Sequence, residues 1–424
     1  MILRCAVLYL ASAGLAAAQA APDPGVVARK ALDLLLASKF QELHQMFNPD
    51  GQKVYTTEML SKIDGQLKAW GPARNIGAPT VARPGPNFVV TIPVAFASQN
   101  INFIIAVNPE GRVALLLQRP GDAQWQAPSY VKPGSYKESI VTFGDEWKLP
   151  GTLLIPNGQG PFPAVVLVHD SGPNDRDESV FANKPFRDLA EGLASRGVAV
   201  LRYEKRSREY AARMANKPNV TVRDETEQDA LKAIALMRTR SEVNPQKIYL
   251  LGHGLGGYVA PRIAEQDGKL AGVIIVEGTA RPPEDVMIDQ AAYLGASPQD
   301  LETLKGRAAR VKALEPGDSD SPRIMGMTAA FILDLKGYDP VATAKQISGR
   351  ILVIQGERDF QTPMKDFTLW KTGLAGRKDT TVTSYPALNH LLIAGQGKSS
   401  EAEYRKPGHV AQEVVDEIAK FVTQ

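Results

Sequence analysis

The sequence predicts an α/β fold with a mostly parallel, doubly wound sheet, preceded by a small α+β domain. Three observations predict it. From about residue 136, short apolar runs alternate with helical segments, the order that builds parallel sheets with helices on both faces. Each run lacks polar–apolar alternation, as a strand buried on both faces does. Before residue 122 the order differs, with helices first and β-rich runs after them.

Composition supports a globular chain of more than one domain. The 424 residues are 44% hydrophobic and 22% charged, and at about 100–200 residues per domain the length suggests two or three. Gly and Pro number 36 and 30, below the roughly 25–30% that marks low complexity. Cys5 is the single cysteine, so neither a disulfide framework nor a Cys-based zinc site fits within one chain.

The first twenty residues read as a signal peptide. Arg4 gives a positive start, Cys5 to Ala18 is apolar, and Ala18-Gln19-Ala20 is an A-x-A cleavage signal before Ala21-Pro22-Asp23-Pro24. The stretch is shorter than the about 20 apolar residues of a spanning helix, and no other segment reaches that length. The expected product is exported, periplasmic or secreted, with no integral membrane association. Cleavage removes Cys5. The whole chain carries a net charge of only +3, and no basic arm or Lys/Arg stripe argues for nucleic acid.

Val27, Ala31, Leu34 and Leu35, then Phe40, Leu43 and Phe47, recur at helical spacing, so 25–48 should form one or two amphipathic helices, with another over 56–70. Phe88 to Phe96, Ile101 to Val107 and Val113 to Leu117 are β-rich, with Pro109-Glu110-Gly111 as a turn. This α+β domain, 21–122, is similar to the nuclear-transport-factor-like domains found in front of some secreted bacterial hydrolases. Residues 123–135 read as a linker. The larger domain follows over 136–424, with strands expected at Ala164 to His169, Val198 to Tyr203, Lys247 to Gly252, Gly272 to Glu277 and Arg350 to Gln355. Helices are expected over 184–195, 225–240, 257–266 and 408–423, and the segment at about 279–345 breaks the rhythm as a cap would.

Five histidines occur, and three of them, His169, His253 and His390, fall at or just beyond strand ends. Sites on such sheets lie at those ends. Lys247-Ile248-Tyr249-Leu250-Leu251 runs into Gly252-His253-Gly254-Leu255-Gly256-Gly257 and a helix. Gly356-Glu357-Arg358-Asp359 follows a later strand, and Asn389-His390 follows the next. These motifs, with His169-Asp170-Ser171-Gly172-Pro173-Asn174-Asp175-Arg176-Asp177-Glu178, resemble the α/β-hydrolase family over 136–424, and within it the secreted esterase-like members with an H-G-S-G-P-x-D-R-D-E loop.

The resemblance implies a G-x-S-x-G elbow at 252–256, an acid at Asp359 and a general base at His390. It also implies oxyanion N–H donors at Ser171 and Leu255, with His169, Asp170 and His253 facing substrate. Two positions depart. Where the family has serine the chain has Gly254, which carries no attacking atom. Where the family has the glycine after His169 the chain has Asp170. A carboxylate pointing at the hole would oppose a developing oxyanion; one turned away is harmless.

Three readings stay open. In the first, a weak esterase lets water fill the space at Gly254 and attack small acyl esters with help from His390 and Asp359, since triads stripped of a member keep about 10³–10⁴-fold catalysis over water. In the second, a catalytically dead descendant holds a small acyl ester or similar ligand, or serves as a scaffold. In the third, Gly254 is a one-nucleotide change from the serine of an ordinary esterase. No metal is expected, because the three placed histidines lie on separate loops without ligand spacing. No cofactor is expected either, because Gly252-x-Gly254-x-x-Gly257 is better explained by the elbow than by a nucleotide.

Overall fold

The computed structural model describes residues 22–424 apart from 84, 122–124, 216, 218 and 319–322. The expected signal peptide, 1–20, lies outside the described residues. The chain divides into two compact units, 1–124 and 125–424.

The first unit holds helices Pro24–Leu36, Phe40–Met46, Pro49–Val54 and Thr57–Ala69. Asp23 caps the first by accepting from the Gly25 and Val26 amides, with Pro24 in the first turn, where its missing N–H costs nothing. Five strands follow: β1 (Ala73–Ile76), β2 (Thr80–Ala82), β3 (Phe88–Phe96), β4 (Asn100–Val107) and β5 (Val113–Pro120). They pair antiparallel in the order β1-β3-β4-β5, with β2 also on β3. Along β3 every second residue is buried, so one face, with Val90, Ile92, Phe103 and Ile105, packs on Leu32, Leu35, Leu43 and Leu60.

The second unit carries β6 (Tyr136–Phe143), β7 (Leu149–Pro156), β8 (Phe162–Val168), β9 (Ala199–Tyr203), β10 (Val243–His253), β11 (Gly272–Val276), β12 (Arg350–Gly356) and β13 (Thr380–Tyr385). The sheet order is β13-β12-β11-β10-β8-β9-β7-β6, parallel from β13 to β9 and antiparallel at β7 and β6. Both faces are covered. Ala164, Val166, Ile248 and Leu250 point to one core, with helices Gln228–Arg238 and Leu255–Asp267; Val165, Leu167, Tyr249 and Leu251 point to the other, with helices Pro185–Ala194 and Gln412–Thr423.

From β8 the chain moves to β9 on one side and returns to β10 on the other. The carboxyl ends of β8 and β10 therefore flank the crevice where ligands bind in such sheets. Helices Pro283–Tyr293, Pro298–Ala313 and Ala329–Leu335 lie between β11 and β12, within the expected cap.

The expected linker needs correction. Trp125 Nε1 donates to Asp188 at 2.7 Å, and the Tyr130 hydroxyl donates to the Val410 carbonyl at 2.8 Å. Val131 is buried. These contacts make 125–135 an integral strap of the second unit.

Candidate active site

The elbow forms as the glycines require. Gly254 has φ +51° and precedes helix Leu255–Asp267, a conformation glycine adopts without the steric cost other residues meet. At Gly256 a side chain would run into the Val168 and His169 carbonyls, so only glycine lets this helix start so close to β8.

The register of β8 on β10 sets the site. Gly252 pairs with Val168, so two residues further on Asp170 stands across from Gly254. The Asp170 side chain occupies the volume that a side chain at 254 would need. Its Oδ1 accepts from the Leu255 amide at 2.7 Å, at the positive end of a helix. Its Oδ2 lies 3.3 Å from His390 Nε2, and His390 Nδ1 lies 2.7 Å from Asp359 Oδ2. The space that the weak-esterase reading gives to water is thus filled by protein, and of the two orientations open to Asp170 the carboxylate takes the one that points at the hole.

Charge follows from this geometry. Burial disfavours a charged His390, but Asp359 and Asp170 outweigh it and push the imidazole from 6.5 up to about 10. Burial likewise works against the Asp170 carboxylate, yet the hydrogen bond from His390 and the neighbouring charges of His390 and His253 hold it below the usual carboxylate range. The His390 imidazole thus stands between the carboxyl groups of Asp170 and Asp359, which favour its charged form.

The backbone of Asp170 is clamped from three directions. Its amide donates to Glu178 Oε1 at 2.7 Å, and its carbonyl accepts from Lys205 Nζ at 2.8 Å and Asn174 Nδ2 at 2.9 Å. Glu178 Oε2 pairs with His253 Nδ1 at 2.8 Å, and His253 Nε2 donates to the His390 carbonyl at 2.8 Å. Burial opposes charge on His253, but Glu178 carries its pKa upward. One chain of contacts therefore ties the backbones of Asp170 and His390 together through Glu178 and His253.

The acid side is doubly built. Asp359 Oδ1 accepts from the Gln361 and Thr362 amides at 2.7 and 3.1 Å. Glu277, fully buried at the end of β11 with φ +49°, accepts from the Gly356 amide at 2.7 Å. Burial and the neighbouring Asp359 raise its pKa well above the ordinary carboxyl value, which favours its neutral form. Atoms of Glu277, Asp359 and His390 lie within 4.8 Å of one another. His390 and Asp359 already spend theirs on each other, on Asp170 and on the loop amides, so this donor set does not fit a metal.

Two cavities meet at Asp170 and His390. The larger, about 630 Å³, is walled by Gly254, Leu255 and the cap residues Met287, Met325 and Phe331; the other, about 570 Å³, reaches Phe181, His253 and Tyr404. Ser171 lines both. His169 lines neither: it is buried between Phe186 and Tyr203, and burial lowers its pKa to about 4. It therefore packs in the core, contrary to the expectation that it faces substrate.

Sequence reasoning missed Glu277, Glu178 as a bridge, and Lys205. Each carries a signal: an ionisable residue closing an all-apolar strand, or a charge beside a strand end.

This fold and this arrangement at its elbow define the class of protein. Residues 165–417 match the alpha/beta hydrolase family, and the chain is 36% identical over 395 residues to Esterase EstD of Thermotoga maritima, covering 92% of this chain and 93% of the relative. The chain belongs to the alpha/beta hydrolase family, and its ancestry is that of an ester hydrolase. Among solved structures it is similar to Est1E of Butyrivibrio proteoclasticus (15% identity, 67% and 99% coverage, TM-score 0.46) and an esterase of Pyrococcus furiosus (12%, 72% and 98%, 0.43).

Proposed function

We propose that the chain is an exported hydrolase of small molecules whose reaction centre is Asp170, His390 and Asp359 in place of a serine-based triad. The observation that carries this reading is the Asp170 carboxylate in the place of the missing side chain, hydrogen-bonded to both the Leu255 amide and His390. A second carboxyl group, the buried acid Glu277 and a charged network all converge on this point, beside a cavity large enough for a small organic ligand. The ligand is an acyl ester or a similar small, mostly apolar molecule.

Acyl esters should turn over weakly. Without a nucleophile at 254 there is no acyl-enzyme, and the N–H that would stabilise a substrate oxyanion is already taken by Asp170. His390, held as an imidazolium, takes a proton from water only after losing its own. Hydrolysis of p-nitrophenyl butyrate should be slow, linear from the first turnover, and reduced to background by His390→Ala. An unchanged rate in that variant would refute the reading.

A binding-only role is favoured by one observation, that Asp170, His390 and Asp359 already satisfy one another. It predicts calorimetric binding of butyrate or butanol with no turnover of any ester. Export predicts a mature N-terminus at Ala21, read by sequencing the extracytoplasmic protein. The helices and antiparallel sheet of the first unit support the nuclear-transport-factor-like reading.

A further inference from the structure

We propose that Asp170 is a covalent nucleophile, and that the site hydrolyses substrates at an sp³ carbon bearing a leaving group through an alkyl ester on Asp170. This rests on the hydrolase reading and names its substrate class.

Three observations carry it. First, the group that meets His390 Nε2 at the elbow is this carboxylate, 3.3 Å away, and its side chain is 22% exposed, facing the larger cavity. Second, the Leu255 amide already holds Asp170 Oδ1 at 2.7 Å. That amide cannot serve a substrate carbonyl without displacing Asp170, but it is in place for negative charge that develops on Oδ1 itself. Such charge develops when water adds to Cγ of an Asp170 ester, so the site is complementary to that adduct. Third, Glu178, Lys205 and Asn174 fix the Asp170 backbone, which holds the attacking oxygen in position before substrate arrives.

The steps balance. Oδ2 attacks the substrate carbon, the bond from carbon to the leaving group breaks, and the leaving group departs with the electron pair as an anion. Asp170 becomes a neutral ester. His390 then keeps one carboxylate partner instead of two, and its imidazolium gives a proton to solvent. Water adds to Cγ while His390 Nε2 takes its proton, and the negative charge sits on Oδ1 against the Leu255 amide. The Cγ–Oδ2 bond breaks, the departing alkoxide takes the proton from His390, and the new carboxylic acid of Asp170 reprotonates His390. The sum is alkyl electrophile plus water giving alcohol, a proton and the leaving anion. The product oxygen is the former Oδ2, and the water oxygen stays in Asp170.

The probe is 1-bromobutane with the full chain in molar excess, in ¹⁸O-labelled water. The proposal predicts unlabelled butanol after one turnover and ¹⁸O in the peptide containing Asp170. In His390→Gln the second step stalls, and that peptide should accumulate a butyl ester. Asp170→Asn should lose both signals while keeping the circular dichroism of the parent. Labelled butanol with no adduct would overturn the nucleophile and leave the hydrolase reading standing. No bromobutane turnover and no adduct in any variant, with His390-dependent cleavage of p-nitrophenyl butyrate retained, would overturn the proposal alone; loss of both activities would overturn the hydrolase reading as well.

Discussion

The carboxylate of Asp170 fills the space in which a side chain of Gly254 would stand, and from there it accepts the Leu255 amide at 2.7 Å. The two departures from the family pattern are thus one substitution in space: a side chain removed from the end of β10 and another supplied from the end of β8.

The charge arrangement gives stability a defined pH window. His390 titrates near 10 instead of 6.5, so its stabilisation is complete below 6.5 and is lost as pH rises toward and through 10. Asp170 is held below its usual 3.8, so its contribution is present above that pH and lost on acidification. Thermal unfolding of the second unit should fall by several degrees between pH 6.5 and 10, about what 3–5 kcal/mol produces in a domain of this size, each pK unit being worth about 1.4 kcal/mol. His390→Gln should flatten that limb. An equally steep limb in the variant would contradict the pairing.

Burial and the neighbouring Asp359 favour the protonated form of Glu277. Glu277→Gln keeps a donor and an acceptor, so it should unfold within about 1 kcal/mol of the parent. Glu277→Ala leaves the buried Gly356 amide without its acceptor and should cost about 1–3 kcal/mol. Chemical denaturation at neutral pH reads both. Equal losses would mean that Glu277 is ionised.

The strap at 125–135 belongs to the hydrolase unit. The Trp125 indole donates to Asp188, and the Arg187 guanidinium lies 3.8 Å over its ring. Trp125→Ala should therefore lower the stability of the second unit by about 1–3 kcal/mol, seen in its own unfolding transition. A passive linker would show no change.

Much of this was legible in the sequence. Apolar runs mark the doubly buried strands, because a strand covered on both faces has no polar side. The elbow, Asp359 and His390 stand out because strand-end glycines and charges are local signals. The edge strands β6 and β7 were missed: most of β6 is exposed, and Pro150 and Gly151 interrupt β7. The direction of the Asp170 side chain depends on the register of β8 on β10 and on Glu178, Lys205 and Asn174, which come from different stretches of chain. No local pattern records that convergence. His169 shows the reverse failure, a strand-end histidine that packs against Phe186 and Tyr203.

Fluorophosphonate labelling of Gly254→Ser and of the double variant Asp170→Gly, Gly254→Ser tests the placement of Asp170 most directly. A serine added alone meets the Asp170 carboxylate, and the Leu255 amide stays occupied. The single variant should remain unlabelled, while the double variant, with the hole open and His390 free to act as base, should be labelled and should hydrolyse p-nitrophenyl butyrate with a burst. Labelling of the single variant at the rate of the double would contradict the account of Asp170 as the group standing in the nucleophile's place.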